Sequence, residues 1–238
     1  MYRVIRIFLG FKYIAFVLML CLLVFLLLRN TASKIVSPKD LSVFIQNGNL
    51  EDLEKYAERN DLSIDDKNSL LSIASIYGKN QMVEWLIGKG ADINAIDDYG
   101  CTPLHDAVRA KKSDTVGILL KYGAEINARD NNGNTPLHTA MSRNANSTIV
   151  DVLLNRNADV NIANNIGQTP IFVAVSRGHI ETVKILIEYG ADVNVADAAG
   201  ETPLTIAHHR QEEHLHEYMK KIYKDIEIIL RCTTQKPI

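Results

Sequence analysis

Thr-Pro occurs at 102–103, 135–136, 169–170 and 202–203, so the dipeptide recurs at spacings of 33, 34 and 33 residues. Self-similarity at a fixed period means one supersecondary unit stacked on copies of itself, and nothing else in the chain constrains its fold so tightly. The rest of each unit keeps the same phase. A Gly lies two residues before each Thr (Gly100, Gly133, Gly167, Gly200), and an Ala lies five residues after it (Ala107, Ala140, Ala174, Ala207). Apolar pairs follow at Leu119-Leu120, Leu153-Leu154 and Leu186-Ile187. Each unit then closes with Gly-Ala-Glu-Ile-Asn at 123–127, Asn-Ala-Asp-Val-Asn at 157–161 or Gly-Ala-Asp-Val-Asn at 190–194. One period earlier, Ser69-Leu70-Leu71, Ala74, Leu86-Ile87 and Gly90-Ala91-Asp92-Ile93-Asn94 repeat the pattern without its Pro.

Each position has a physical reason. Thr is a natural helix N-cap, and Pro fits the first helical residue, whose N–H would be unpaired anyway. A small Ala lets neighbouring first helices approach closely. The apolar pairs fill the layer between units from the second helix. Gly90, Gly123 and Gly190 end that helix in a left-handed cap, a conformation open to Asn157 as well. The Asp/Asn-x-x-Gly stretch makes a tight turn projecting from the helices. The extra residue of the third full unit falls in the inter-helix loop at 144–147, where insertion costs least.

These motifs resemble those of ankyrin-repeat proteins. Thr102-Pro103-Leu104-His105 and Thr135-Pro136-Leu137-His138 match the helix-opening motif of that family, whereas Thr169-Pro170-Ile171-Phe172 and Thr202-Pro203-Leu204-Thr205 lose its His. The resemblance implies an all-α repeat solenoid of stacked helix-turn-helix units with short β-turn or hairpin tips. Residues 40–63 read as a degenerate N-terminal capping repeat, 64–210 as the repeats and 211–231 as a C-terminal capping helix, with a tail at 232–238. By the same resemblance, His105 and His138 are structural residues that hydrogen-bond within and between repeat loops.

The first 33 residues are a different object. They hold four of the 26 Lys and Arg side chains and none of the 28 acids, leaving 22 basic against 28 acidic side chains in the remaining 205 residues. That acidic body argues against nucleic acid as the partner, because phosphates demand surplus Lys and Arg. Residues 7–28 form an apolar stretch whose helical length of about 33 Å suffices for the hydrocarbon core. The sequence therefore predicts one transmembrane helix, a signal anchor, between a basic flank at 1–6 and a linker at 29–39. Two readings compete with it: a cleaved signal peptide, in which the body is an exported soluble protein, and a buried core helix, which rarely lacks any polar face. Arg3, Arg6, Lys12 and the amino terminus outnumber Arg29, Lys34 and Lys39 by one charge, a slight bias toward a cytoplasmic N-terminus. A single-pass membrane protein results, with the repeat body on the non-cytoplasmic side, periplasm or lumen.

No catalytic constellation emerges: the chain has no GxxxxGK phosphate loop, no HExxH pair and no GxSxG elbow. The chain is read as a non-enzyme without cofactor. His208, His209, His214 and His216, interleaved with Glu212, Glu213 and Glu217, stand one helical turn apart in several pairings, so metal binding there is a weaker alternative to a solvated face. The Leu215, Met219, Ile222, Ile226 and Ile229 series within 211–231 suits either a solenoid cap or a helix for self-association.

Stacked repeats present their tips and first helices as one extended concave surface. By the resemblance, the recognition positions are the two residues before each turn Gly, the one after it, and two near the end of the first helix. These positions nominate Asp98, Tyr99, Cys101 and Arg109, then Asn131, Asn132, Asn134 and Arg143. Asn165, Ile166, Gln168, Arg177 and Arg210 complete the set. Arg109, Arg143, Arg177 and Arg210 would form a basic ladder, with Tyr99 and Ile166 as apolar anchors. The expected function is capture or inhibition of a partner protein at the membrane.

Overall fold

The computed structural model describes Ile45 and residues 50–142, 147–212 and 216–234. A short cap, α1 (Leu50–Arg59), precedes four helix pairs. These are α2 (Ile64–Tyr77) with α3 (Asn80–Gly88), α4 (Pro103–Arg109) with α5 (Ser113–Lys121), α6 (Pro136–Ser142) with α7 (Ser147–Asn155), and α8 (Pro170–Ser176) with α9 (Ile180–Glu188). The chain ends on α10 (Pro203–Glu212) and α11 (Glu217–Thr234). There is no strand among the described residues. The first helices α2, α4, α6, α8 and α10 stack in one row, and α3, α5 and α7 stack in a second row behind it. This is the expected helical solenoid.

The local signals act as the sequence implies. Thr102 and Thr169 take extended backbone conformations before Pro103 and Pro170, which open seven-residue helices. Each second helix ends in a left-handed residue, Gly90, Gly123, Asn157 or Gly190, with φ of 84°, 92°, 60° and 84°. The next N–H then reaches back over that turn: Ala91 to Leu86, Ala124 to Leu119 and Ala158 to Leu153 at 3.0 Å, and Ala191 to Leu186 at 2.9 Å. This is the Schellman bond that satisfies the last helical carbonyls. α6 ends at Ser142 and α7 begins at Ser147; of the 144–147 segment expected to hold the extra residue, 144–146 lie outside the described residues.

Two elements depart from the periodic expectation. The repeat phase would open the first helix of the first unit near Ser69, but α2 begins at Ile64 and runs 14 residues. Without a Pro to set the start, Ser63 and Asp66 make a reciprocal capping box: Asp66 N donates to Ser63 Oγ at 3.1 Å, and Ser63 N donates to Asp66 Oδ2 at 3.2 Å. At the other end, residues 211 and 212 finish α10, and the expected capping helix is α11, beginning at Glu217. It packs on α10 and α9, the place a second helix would take. Tyr223, Ile226 and Leu230 are buried, and Tyr223 Oη donates to the Ser176 carbonyl at 3.0 Å. The core runs without a break from Ile45 and Leu53 to Ile226 and Leu230. Among the described residues no helix is long and apolar enough to cross a membrane. The segments 1–6, 7–28 and 29–39 lie outside the described residues.

One first-helix terminus is strained. Gly78, Lys111 and Gly178 follow α2, α4 and α8 with φ of 70°, 59° and 73°. Lys111 is exposed and alone of these three carries a Cβ into the left-handed region. Lys111→Gly should therefore raise stability by about 0.5–1 kcal/mol, the relief of strain less the added freedom of the unfolded chain. The midpoint of urea unfolding measures it.

Candidate functional site

The tips are rigid because one side chain organises each of them. Asp97 Oδ1 accepts from Tyr99 N at 2.9 Å and Cys101 N at 2.7 Å. Asp130 does the same for Asn132 and Asn134, Asn164 for Ile166 and Gln168, and Asp197 for Ala199 and Glu201. A Cβ on Gly100, which has φ of 73°, would stand 2.8 Å from Asn131 N, so glycine also permits the next tip's approach. Backbone bonds of 2.9 Å then join neighbours: Asn131 N to Tyr99 O, Asn165 N to Asn132 O, and Ala198 N to Ile166 O. Nearer the helices, Asn94, Asn127 and Asn161 accept through Oδ1 from Glu125, Asp159 and Asp192 N–H groups of the following unit, and Asn68 accepts from Asp92 N within the first unit.

His105 and His138 lock helix starts to tips. Thr102 N donates to His105 Nδ1 at 3.2 Å, and the far ring nitrogen, Nε2, contacts the Asn134 carbonyl at 3.1 Å. Thr135 N and His138 repeat this, with Nε2 2.9 Å from Gln168 O. Because Nδ1 accepts, Nε2 carries the proton and donates to the next unit. At the following units the pattern decays. Phe172 replaces the His, and Thr169 Oγ1 is buried with no hydrogen-bond partner. Thr205 replaces it in the last unit and restores only the local cap, accepting from Thr202 N at 2.8 Å.

The nominated recognition residues divide into groups. Asp98, Tyr99, Asn132, Ile166 and Arg177 are exposed, with Tyr99 at 74% and Ile166 at 56%. Asn131 and Asn165 are exposed but spend their amides on the Asp98 and Asn131 carbonyls of the preceding tips. Asn134 donates to Asp130 and accepts from Asn164, and Gln168 donates to Asp197, so both serve as struts between tips. Cys101 is a correction: although it follows a tip Gly, it is only 4% exposed. Its N–H is drawn inward by Asp97, and its thiol turns under Arg109, whose Nη2 donates to Sγ at 2.8 Å. Burial pushes that thiol up from its ordinary range.

The basic ladder is uneven. Arg109 folds back on Asp106, Nη1 to Oδ1 at 3.1 Å. Asp106 is itself buried, accepts from Ser72 Oγ, and is pushed up by that burial. Arg210 is partly buried, and Arg143 lies outside the described residues. Sequence reasoning missed Ser72 and Asp106; the i, i+3 spacing of Asp106 and Arg109 was the signal that could have found the pair. In the C-terminal cluster, His208 sits 3.5 Å from Glu212 and 3.8 Å from Glu227, and His209 sits 3.6 Å from Glu201. Among the described residues no three metal-capable side chains converge; Glu213 and His214 lie outside them.

Two measurements test the His links. Burial pushes both imidazoles below their ordinary pKa. The unfolded chain takes up these protons near pH 6.5 while the folded chain stays neutral, so their contribution is complete above that value and falls as pH drops through it. His138→Phe should cost about 1–2 kcal/mol at pH 7.5, a margin that narrows as urea titrations move toward pH 5.5. Conversely, Phe172→His gives Thr169 a partner and should slow amide hydrogen exchange in α10 and α11 about fivefold or more.

A family model for ankyrin repeats, in three copies, matches residues 41–130 and 137–229. No curated protein matches the chain. The matched spans cover most of the sequence and agree with the helix pairs, the Thr-Pro caps and the tip bonds, and the chain belongs to the ankyrin-repeat family.

Proposed function

We propose that this chain is a non-enzymatic, membrane-tethered module that captures or inhibits a partner protein on its tip and first-helix face. The family implies protein–protein interaction in general terms. The observation that carries the reading is the division of labour at the tips: the turns are held by Asp97, Asp130, Asn164 and Asp197, which frees Tyr99, Asn132 and Ile166 to project into solvent. Aromatic and aliphatic groups on a preorganised frame bind with little ordering cost. Tethering through residues 7–28 adds effective concentration at the membrane. The basic flank of Arg3, Arg6 and Lys12 supports a body on the non-cytoplasmic side. Self-association through α11 has less to support it, since that helix spends its central apolar residues on α9 and α10.

A photo-crosslinking residue at Tyr99 or Ile166 of the full chain, in its native membranes, should give a discrete adduct. The same residue at Lys121 or Lys184, exposed on second helices, should not. Equal labelling from both sets of positions, or none from the tips, would remove the face as the binding site. The tether has its own readout: the chain should resist alkaline extraction from membranes, and an intact mass lacking residues 1–33 would replace it with an exported soluble protein.

A further inference from the structure

The first tip differs from the other three. A cavity of about 330 Å³ opens between α2 and the 95–101 loop, with Ile73 and Ile96 as apolar walls and Asp65 and Asp97 among its lining carboxylates. Ser72 and Cys101 also line it. Both are already engaged, Ser72 by Asp106 and Cys101 by Arg109, so they offer shape and polarity without a free charge. Ile96 is 70% exposed, and Tyr99, at 74%, stands three residues further along the same loop. Large side chains this exposed beside a cavity mark a surface built for contact.

At the later tips the chain satisfies its own turn residue. Asp130 Oδ2 accepts from Asn134 at 3.3 Å, Asn164 donates to Asn134 at 3.0 Å, and Asp197 Oδ2 accepts from Gln168 at 3.3 Å. At the first tip the own-tip position of Asn134 is held by Cys101, which brings no amide, and the position from which Gln168 reaches Asp197 is held by Asn68, whose Oδ1 accepts from Asp92 N and whose amide makes no bond to Asp97. Among the described residues Asp97 Oδ2 therefore has no hydrogen-bond donor, and Asp65 has neither an ion pair nor a hydrogen bond. The residue before the turn Asp is also different: Arg129 precedes Asp130, whereas Ile96 precedes Asp97. The second tip carries a cation at that position and the first an apolar wall; Arg109 acts on Asp97 through its field alone, its guanidinium being bonded to Asp106 and Cys101.

Two unpaired carboxylates at an apolar slot are complementary to a cation on an aliphatic stem. We propose that this cavity takes a lysine or arginine side chain from a basic, amphipathic segment of the partner protein, with neighbouring apolar residues of that segment against Ile96 and Tyr99. The stem packs between Ile73 and Ile96 while the charged head reaches Asp65 and Asp97. This rests on the protein-binding face proposed above and adds the chemistry of its partner. Arg109 sets the lower boundary: its guanidinium is held by Asp106 and Cys101, so the entering cation stops at the rim and does not reach Asp106.

The test uses the full chain in neutral phosphatidylcholine nanodiscs, with empty discs as blank. The probes are a fluorescein-labelled peptide of alternating Lys and Leu and its Glu/Leu counterpart, followed by anisotropy. The Lys/Leu peptide should bind, and the Glu/Leu peptide should not. Asp97→Asn and Asp65→Asn should each weaken binding about fivefold, the scale of a partly exposed ion pair. Asp97→Asn keeps the turn acceptor, as Asn164 does at its own tip, so an unchanged melting curve separates lost charge from lost fold. Asp130→Asn removes the same charge one tip away and should leave affinity unchanged. Equal weakening by Asp130→Asn, indifference to both first-tip variants, preference for the Glu/Leu peptide, or no binding of either peptide would each overturn the assignment. If the assignment fails while Tyr99 still cross-links a partner, the binding face stands and only its charge class is wrong.

Discussion

A single side-chain oxygen accepting two backbone N–H groups holds each tip, and the rest of the molecule is arranged around that contact. Asp97, Asp130, Asn164 and Asp197 each fold the four residues that follow them into one conformation. Rigid tips can then pair edge to edge through their backbones. Those pairings fix how far one helix pair stands from the next, and that distance decides whether Leu104, Leu119, Leu137 and Leu153 pack without voids. A helix pair alone cannot bury both of its faces, so the order of the core depends on the order of the tips.

Coupling between units is graded along the solenoid. The first and second boundaries between Thr-Pro units are tied by His105 and His138, each serving its own helix cap and the neighbouring carbonyl. The last boundary has Phe172, which packs well but leaves Thr169 Oγ1 without a partner. Thr205 bonds only within its own cap, to Thr202, and the next helix in the chain is α11. There α11 packs Tyr223, Ile226 and Leu230 against the stack, and Tyr223 Oη donates to the Ser176 carbonyl. Glu227 reinforces the closure by accepting from Gln211 of α10 at 2.6 Å and from Arg231 of its own helix.

The repeat architecture was readable because its rules are local. Thr before Pro, Ala in the first helix and Gly or Asn after the second helix each answer to backbone geometry within a few residues. The roles of the recognition positions were less readable, because they depend on what the adjacent unit offers. Asn131 and Asn165 look like free surface amides in the sequence, yet each reaches a carbonyl one tip away. Cys101 shares its register with Asn134 and Gln168 but is drawn inward beneath Arg109. Arg109 itself looked like a rung of a ladder until Asp106, buried three residues earlier, claimed its guanidinium. The start of α2 escaped the periodic reading for a related reason: its cap, Ser63 with Asp66, is a local device outside the repeat phase.

The extra residue between α6 and α7 has a consequence for recognition. It lengthens one period from 33 to 34 residues, yet the bond from Asn165 N to Asn132 O remains 2.9 Å, the same as at the tips on either side. The length change leaves the bond between these tips unaltered. The tip edge thus behaves as a ruler with constant graduations, whatever happens on the opposite edge. An extended ligand laid along it is measured as well as recognised, since its side chains must arrive at the pitch of Tyr99, Asn132 and Ile166. Loops on the far edge are free to lengthen and acquire other work without altering that gauge.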